Sequence, residues 1–167
     1  MEQIEWHETL LTIRERIEES HEDQALEILS LDTTVLPPQE ILFFEQNQTI
    51  SEVLANFRQD HDYAIIVDNK ASYCGIVSRE VLQQVGRLLG INRGRMPIST
   101  IMRRQIVRES EGAPLYVILR HLTGEDATAV LVTDETGMAI RLLSPGILAR
   151  FFMDVIESGG QSQRYMV

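Results

Sequence analysis

The chain has 167 residues, 44% of them hydrophobic, a formal net charge of −10 and a single cysteine. The negative charge disfavours nucleic-acid binding, and one cysteine excludes an internal disulfide framework. No apolar run approaches the roughly 20 residues that a membrane-spanning helix needs, and the acidic N-terminus is not typical of a signal peptide. We therefore expect a soluble, cytoplasmic protein without membrane association.

The N-terminal segment is predicted to be helical. Over residues 2–20, four apolar residues are spaced four, three and four positions apart and share one helix face: Trp6, Leu10, Ile13 and Ile17. Two interpretations are open, a coiled coil or a helix that packs on its own domain, and we favour the second. A second short helix is predicted over residues 24–31, and Pro37 then forces an extended entry into the next segment.

A first unit of alternating strands and helices follows. Residues 41–44 are predicted to form a short strand, and Thr49 with Glu52 three positions later resembles the capping box at a helix start. The apolar run over residues 64–67 is rich in β-branched side chains, which favours a buried strand. The order of elements is therefore strand, helix, strand, and the chain then turns back.

The end of this unit is repeated later in the chain. Asp68 begins a polar turn, residues 73–77 form a second strand, and Ser78 occupies the N-cap position of a helix. The same order returns 66 residues later, where Asp134 corresponds to Asp68 and Ser144 to Ser78. Two copies of one unit predict a pseudo-symmetric pair that buries its sheets against each other.

The segment between the two units is basic. Residues 81–108 contain no acidic residue and six arginines: Arg87, Arg93, Arg95, Arg103, Arg104 and Arg108. Glycines and a proline interrupt it, which predicts a connector in its first part and a short helical turn near residues 99–102.

Both units resemble the cystathionine-β-synthase (CBS) domain. The first copy has the pattern of that family in the segments TISEVL (residues 49–54), IIVD (65–68) and GIVS (75–78). Ile101 and Met102 match the pair that introduces a second CBS motif. The second copy is weaker, with PLYVIL (114–119), LVTD (131–134) and LLS (142–144).

This resemblance implies an α+β fold of two pseudo-symmetric CBS motifs, each β-α-β-β-α, packed through their sheets and preceded by N-terminal helices. The implied division of the chain is an N-terminal helical segment, a first motif, a basic connector, a second motif and a polar tail: 1–32, 33–88, 89–99, 100–157 and 158–167.

The resemblance also implies a function. Tandem CBS pairs are non-enzymatic regulatory modules that commonly dimerise and often bind adenine nucleotides such as AMP, ADP or ATP between their motifs. We therefore expect a homodimer that senses such a nucleotide or another small anionic ligand, and an unknown protein partner that is reached through the N-terminal helix. The alternative is a dimerisation and partner-binding scaffold whose ligand sites have degenerated.

The resemblance implies ligand contacts around the strand–helix junction of each motif: Ile65, Gly75, Ser78, Arg79, Leu131, Arg141 and Ser144. The aspartate that holds the ribose hydroxyls in the family is replaced by Val81 and Ile147. Arg79 and Arg141, with Arg103 and Arg104 from the connector, are candidate phosphate contacts because a guanidinium presents paired donors. The alternative is that these arginines pair with carboxylates at a dimer interface.

Other polar residues were considered for catalysis and metal binding. Asp60, His61 and Asp62 are adjacent and cannot converge on one ion unaided, so they predict a surface loop. Cys74 lies in an apolar strand, where a thiol is usually inert. Ser78 lacks the glycines that flank a nucleophilic serine. The sequence therefore predicts no catalytic residue and no metal site.

Overall fold

The computed structural model describes residues 2–20, 23–37, 39–124 and 129–157. Within these ranges the chain forms six α-helices and six strands. In chain order they are α1 (Glu2–Ser20), α2 (Asp23–Ser30), β1 (Phe43–Glu45), α3 (Ile50–Asn56), β2 (Tyr63–Val67), β3 (Tyr73–Ser78), α4 (Arg79–Arg93), β4 (Val107–Ser110), α5 (Leu115–Leu122), β5 (Val130–Thr133), β6 (Ala139–Leu143) and α6 (Pro145–Glu157). Short 3₁₀ turns lie at Thr33–Val35 and Ile98–Thr100.

The described strands form two sheets of the same topology. In the order β1-β2-β3 the outer strand β1 is parallel to β2 and β3 is antiparallel to it, and β4-β5-β6 repeats this arrangement. The ladder is interrupted after Ile66 in the first sheet and after Val132, 66 residues later, in the second. The predicted β-α-β-β-α order is confirmed in both copies, although β1 begins at Phe43 rather than at residue 41.

The two sheets face each other across a shared apolar layer. Ile65 and Ile76 of the first sheet pack with Leu131 and Leu142 of the second. The pairs correspond to each other under the 66-residue repeat, because each strand directs equivalent side chains toward the pseudo-two-fold axis. The prediction that the motifs pack through their sheets is confirmed.

Helix α1 packs on the helices of the second motif. Leu10 and Ile13 are buried in the same cluster as α5 and α6 side chains. The Nδ1 of His7 lies 3.1 Å from the carbonyl oxygen of Leu122, and Arg14 donates to the hydroxyl of Thr123 at 2.8 Å. The interpretation that this helix packs on its own domain is confirmed, while the side chain of Ile17 lies outside the described residues.

Gly146 explains why α1 packs on the second motif rather than on the first. Trp6 packs on Gly146 near the start of α6, where a Cβ would lie 3.3 Å from the indole Cδ1. The corresponding residue of α4, 66 positions earlier, is Glu80. A carboxylate in place of Gly146 would meet the indole, so the equivalent face of the first motif does not fit α1.

Each motif is completed by the segment that precedes the other motif. Asp32 bridges to Pro114 at the start of α5, and Pro97 bridges to Thr49 at the start of α3. The helix α4 also continues to Arg93, so the expectation of a connector over the first part of the basic segment is wrong. The predicted boundaries of the segments otherwise stay predictions, and the tail at 158–167 lies outside the described residues.

The same local interactions hold the strand–turn–strand–helix units together. The Asp68 carboxylate accepts hydrogen bonds from two backbone N–H groups of its turn at 2.9 Å, and Asp134 does the same at 2.9 and 3.0 Å. The hydroxyls of Ser78 and Ser144 each accept the N–H three residues later, at 3.1 and 3.3 Å, as the predicted N-caps do. The 66-residue repeat in the sequence therefore corresponds to the same side-chain hydrogen bonds in both motifs.

None of the helices in the described ranges combines the length and the hydropathy that a membrane span requires.

Candidate functional site

A cleft of about 260 Å³ opens between the two motifs. The first motif supplies the segment before β1 and the loop between α3 and β2. The second motif supplies the end of β6 and the first turns of α6. The lining residues are Gln39, Glu40, Ile41, Asp60, His61, Asp62, Tyr63, Leu142, Ser144, Ile147 and Arg150. A ligand in this cleft would touch both motifs at once.

The α6 wall presents three side chains at intervals of three residues. Ser144 is buried and caps the helix through the N–H of Ile147. Ile147 is half-buried, and Arg150 is exposed two turns into the helix. Residues three and four apart lie on one helix face, so a hydroxyl, an aliphatic side chain and a guanidinium line the cleft in this order.

The opposite wall is held together by His61. Its Nδ1 lies 2.9 Å from a carboxylate oxygen of Asp60, and its Nε2 lies 2.9 Å from the backbone carbonyl of Glu40. Both partners, a carboxylate and a carbonyl oxygen, are hydrogen-bond acceptors. The hydrogen bond from His61 holds the pKa of the Asp60 carboxyl below its ordinary value. This contact joins the loop before β2 to the segment before β1.

Two carboxylates of the wall pair with arginines, and the third pairs with His61. Glu40 accepts from Arg58 at 2.7 Å, and Asp62 accepts from Arg79 at 3.2 Å. With His61 beside Asp60, each acidic side chain of the cleft has a partner. Arg150 is different, because its guanidinium lies 5.2 Å from the centroid of the uncharged Trp6 ring.

The remaining lining includes aliphatic side chains and two residues that carry hydroxyls. Ile41, Leu142 and Ile147 contribute aliphatic surface, and Tyr63 and Ser144 contribute the hydroxyls. Burial raises the pKa of the Tyr63 phenol well above its ordinary value, so it stays neutral. Aliphatic and polar groups therefore converge on one cleft, as they do at small-molecule sites.

Of the predicted ligand contacts, the structure places Ser144 in this cleft. Ile65 and Leu131 are fully buried between the two sheets and are not accessible to a ligand. Gly75 is covered by Met102, whose sulfur would lie 2.4 Å from a Cβ at that position. The sequence thus identified one residue of this cleft, and the other predicted ligand contacts stay predictions.

The predicted phosphate contacts lie elsewhere. Arg79 donates to the carbonyl of Gln59 and to Asp62, behind the wall. Arg103 is exposed and exchanges backbone hydrogen bonds of 2.9 Å with Ile76, and Arg104 is exposed outside the lining. None of these three arginines lines the cleft, because their segments belong to the outer edge of the first sheet.

Arg141 has a structural role. It occupies the position that corresponds to Gly75, opposite Val132 in the sheet, and donates to the carbonyl of Pro37 at 3.0 Å. In the first motif the carbonyl of Arg103 accepts from the backbone N–H of Ile76. In the second motif Pro37 occupies the position of Arg103 and has no N–H to donate. The side chain of Arg141 supplies the hydrogen bond that joins the segment at Pro37 to the sheet.

The counterpart of this cleft in the other motif is centred on Ser78. Ser78 is buried and caps α4, and Val81 beside it is exposed. The loop that corresponds to residues 60–62 is residues 126–128, which lie outside the described residues. Ser78 therefore stays a predicted ligand contact.

The sequence missed the wall at residues 60–62 and Arg150. The adjacent Asp60, His61 and Asp62 were interpreted as a surface loop, and they do lie in a loop, but one that lines the cleft. A possible signal was the position of Arg150, two helical turns after the N-cap Ser144. In the described ranges no cluster of three or more His, Cys, Asp or Glu side chains is placed to hold a metal ion.

No protein-family model matches the sequence, and no curated protein matches it. Solved structures do resemble it. The CBS domain of the bacterial CNNM/CorC family Mg²⁺ transporter has a TM-score of 0.61 and 16% identity, and the match covers 88% of this chain and 90% of that one. The CBS domain pair of the protein MJ0100 also has a TM-score of 0.61 and 16% identity, over 75% of this chain and 98% of that one.

A CBS-domain protein from Agrobacterium tumefaciens is similar as well, with a TM-score of 0.57 and 17% identity, over 67% of this chain and 85% of that one. At such identities the similarity shows a common fold.

Proposed function

Because the chain has the fold of a CBS domain pair, we propose that it is a non-enzymatic regulatory module that binds a small adenosine-type ligand between its motifs. The observation that carries this proposal is the cleft itself, in which Ser144 of one motif faces the loop and strand entry of the other. A ligand that bridges two motifs shifts their relative position as far as its affinities for the two arrangements differ.

The size of the cleft favours a ligand no larger than a nucleoside monophosphate. Its volume of about 260 Å³ lies just below the roughly 300–1,000 Å³ that is usual for small-molecule sites. Among the similar structures, the MJ0100 pair was solved with 5′-methylthioadenosine and S-adenosyl-L-methionine, and a bacterial CNNM/CorC CBS domain with ATP. All three compounds contain adenosine, which makes adenosine and AMP the first compounds to test.

The cleft compensates for the missing aspartate of the family pattern. Ile147 stands where that aspartate would accept hydrogen bonds from the ribose hydroxyls, and an unpaired buried hydroxyl costs about 1–3 kcal/mol. Asp62 of the opposite wall and Ser144 line the same cleft and are both acceptors. We propose that the ribose is held between these two residues, with the base on Ile41 and Leu142.

The test is thermal melting and calorimetric titration of the purified protein with adenosine, AMP, ADP, ATP and GMP. A ligand at a hundredfold excess over its dissociation constant stabilises the folded state by about 2.7 kcal/mol, which raises the melting temperature measurably. Ser144→Ala should weaken binding a few-fold, because it removes one neutral hydrogen bond. Thr49→Ala is the matched control, since it removes an N-cap of another helix that does not line the cleft and is not a predicted ligand contact. Absence of binding by all five compounds would refute the proposal.

We also propose that the module is a homodimer that associates through the first motif. Helix α1 covers α5 and α6, whereas on α4 Leu88 is 83% exposed and Val81 and Val85 lie on the same flank. Leu88→Glu should reduce the mass measured by light scattering from that of a dimer to that of a monomer. Met138→Glu, at another exposed apolar position, should leave the mass unchanged. A monomeric wild-type protein would contradict this part of the proposal.

One observation favours a second function, a scaffold without a ligand. Met102 fills the space over Gly75, and Val81 replaces the family's aspartate, so the strand–helix junction of the first motif is apolar. A scaffold predicts a dimer that none of the five nucleosides and nucleotides stabilises. Binding at the Ser144 cleft would exclude it for the second motif.

A further inference from the structure

Arg150 belongs to two environments at once. It lines the cleft two turns after Ser144, and its guanidinium lies over the Trp6 ring of α1. We propose that Arg150 binds the anionic group of the ligand and, in doing so, leaves Trp6, so that occupation of the cleft changes the position of the first turns of α1. This inference rests on the proposed function and states how ligand binding would change the position of α1.

The other basic side chains around the cleft already have partners. Arg58 and Arg79 are held by the carboxylates of Glu40 and Asp62, and His61 is held by Asp60. A ligand phosphate would have to displace a carboxylate to recruit any of them. Arg150 has an aromatic ring as its partner instead, and among the salt bridges of the described residues none includes it.

The second step is a comparison of two contacts of the same guanidinium. A cation over an indole is attracted by the ring quadrupole, and at an exposed site this attraction is weak. A phosphate or carboxylate accepts two parallel hydrogen bonds from the guanidinium fork and carries a full charge, so its contact is the stronger one. An anion placed in the cleft would therefore take Arg150 from Trp6.

The Trp6 ring is held by two contacts, one with Gly146 and one with Arg150. Its ring packs on Gly146, with indole atoms 3.3–3.5 Å from the Cβ position, and Arg150 covers it from the side of the cleft. Further along α1, Leu10 is fully buried and Arg14 is bonded to Thr123. Release of the guanidinium should therefore change the first turns of α1 while the rest of the helix stays docked.

The experiment uses Trp6 as the reporter, since it is the single tryptophan of the chain. The full-length protein is titrated with AMP and with adenosine, which differ by one phosphate, and binding and tryptophan emission are recorded together. AMP should shift the emission to longer wavelength as water reaches the ring, whereas adenosine should bind without this shift. AMP binding without an emission change would overturn the inference and leave the proposed function intact.

Variants of Arg150 test its contact with the anion and its contact with Trp6 separately. Arg150→Gln should weaken AMP binding by about tenfold or more, the effect of a hydrogen bond to a charged group, and leave adenosine binding unchanged. Without any ligand, this variant should already show the emission that AMP produces in the wild type. Arg120→Gln, which removes an equivalent guanidinium over Tyr116 outside the cleft, is the matched control and should have neither effect.

The outcomes separate the two proposals. If Arg150→Gln is unstable, Arg150→Lys takes its place, because it keeps the positive charge. Arg150→Lys should retain more of the affinity for AMP than of the contact with Trp6. Equal affinity of wild type and Arg150→Gln for AMP would overturn the role of Arg150. Failure of both adenosine and AMP to bind would overturn the proposed function and this inference with it.

Discussion

Substitution of Gly146 by glutamate would test why α1 docks on the second motif. Gly146 is buried under Trp6, and its counterpart in α4 is Glu80. In Gly146→Glu the new side chain would occupy the space of the indole, because even a Cβ lies within 3.3–3.5 Å of three ring atoms. The new carboxylate also stands four residues before Arg150, where it competes with Trp6 for the guanidinium. We expect the start of α1 to leave α6.

The expected change in stability is small because two effects oppose each other. Removal of a buried aromatic side chain costs about 3–5 kcal/mol, and for the half-buried Trp6 about half of that is lost. Replacement of a glycine in a helix gains up to about 1 kcal/mol, and a carboxylate in the first turn beside Arg150 gains about 0.5 kcal/mol more. The free energy of unfolding should therefore fall by only about 1 kcal/mol.

The assay is tryptophan emission together with urea unfolding. Gly146→Glu should shift the Trp6 emission to longer wavelength and increase proteolytic cleavage within the first turns of α1. Gly146→Ala is the control, because its methyl group needs a movement of only a few tenths of an ångström. An emission maximum in Gly146→Glu equal to that of wild type would refute the account of α1 docking.

Three further predictions concern stability. Hydrogen bonds from the Thr136 hydroxyl and from backbone N–H groups hold the pKa of Asp134 below its ordinary value. Its stabilisation is therefore present above the ordinary pKa of an aspartate and is lost as the pH falls through the lowered pKa. Asp134→Asn should flatten this acid-side decline of the melting temperature, and an unchanged slope would contradict the assignment. Ala71→Gly should raise the free energy of unfolding by about 1 kcal/mol, because Ala71 has a φ of 60° where Gly137 occupies the equivalent turn, and Gly137→Ala should lower it similarly in urea titrations. Leu10→Ala should lower it by about 2–5 kcal/mol, and a loss under 1 kcal/mol would show that α1 contributes little to the core.

The architecture was predictable because its determinants are local. The turn at Asp68, the N-cap at Ser78 and their copies at Asp134 and Ser144 each depend on a side chain that bonds backbone within four residues. Such interactions leave a fixed spacing in the sequence. The 66-residue repeat therefore gave the two motifs, their element order and the facing of their sheets.

The cleft was less predictable because its walls come from distant segments. Ser144 was found through its motif, but the opposite wall depends on His61 reaching back to the carbonyl of Glu40. Arg141, a candidate phosphate contact, bonds the carbonyl of Pro37. The partner of a long side chain is set by the tertiary arrangement, and no spacing in the sequence indicates which distant carbonyl it reaches.

Differences between the two copies carry more functional information than their similarity. Where the first motif has Glu80 and Gln84, the second has Gly146 and Arg150. The glycine admits Trp6, and the arginine contacts that ring while it lines the cleft. One pair of substitutions in the same helical turn thus creates both the docking surface for α1 and its connection to the cleft.

The first motif, which lacks both residues, has no such connection and keeps an exposed apolar flank at Leu88. If this division holds, substitutions at Leu88 change assembly without altering the response of Trp6 to AMP. Substitutions at Arg150 change that response without altering assembly. Assembly and the response of Trp6 to AMP can therefore be altered separately in one chain. The reason is that the two motifs have equivalent helices, α4 and α6, and each property depends on side chains that only one of these helices carries.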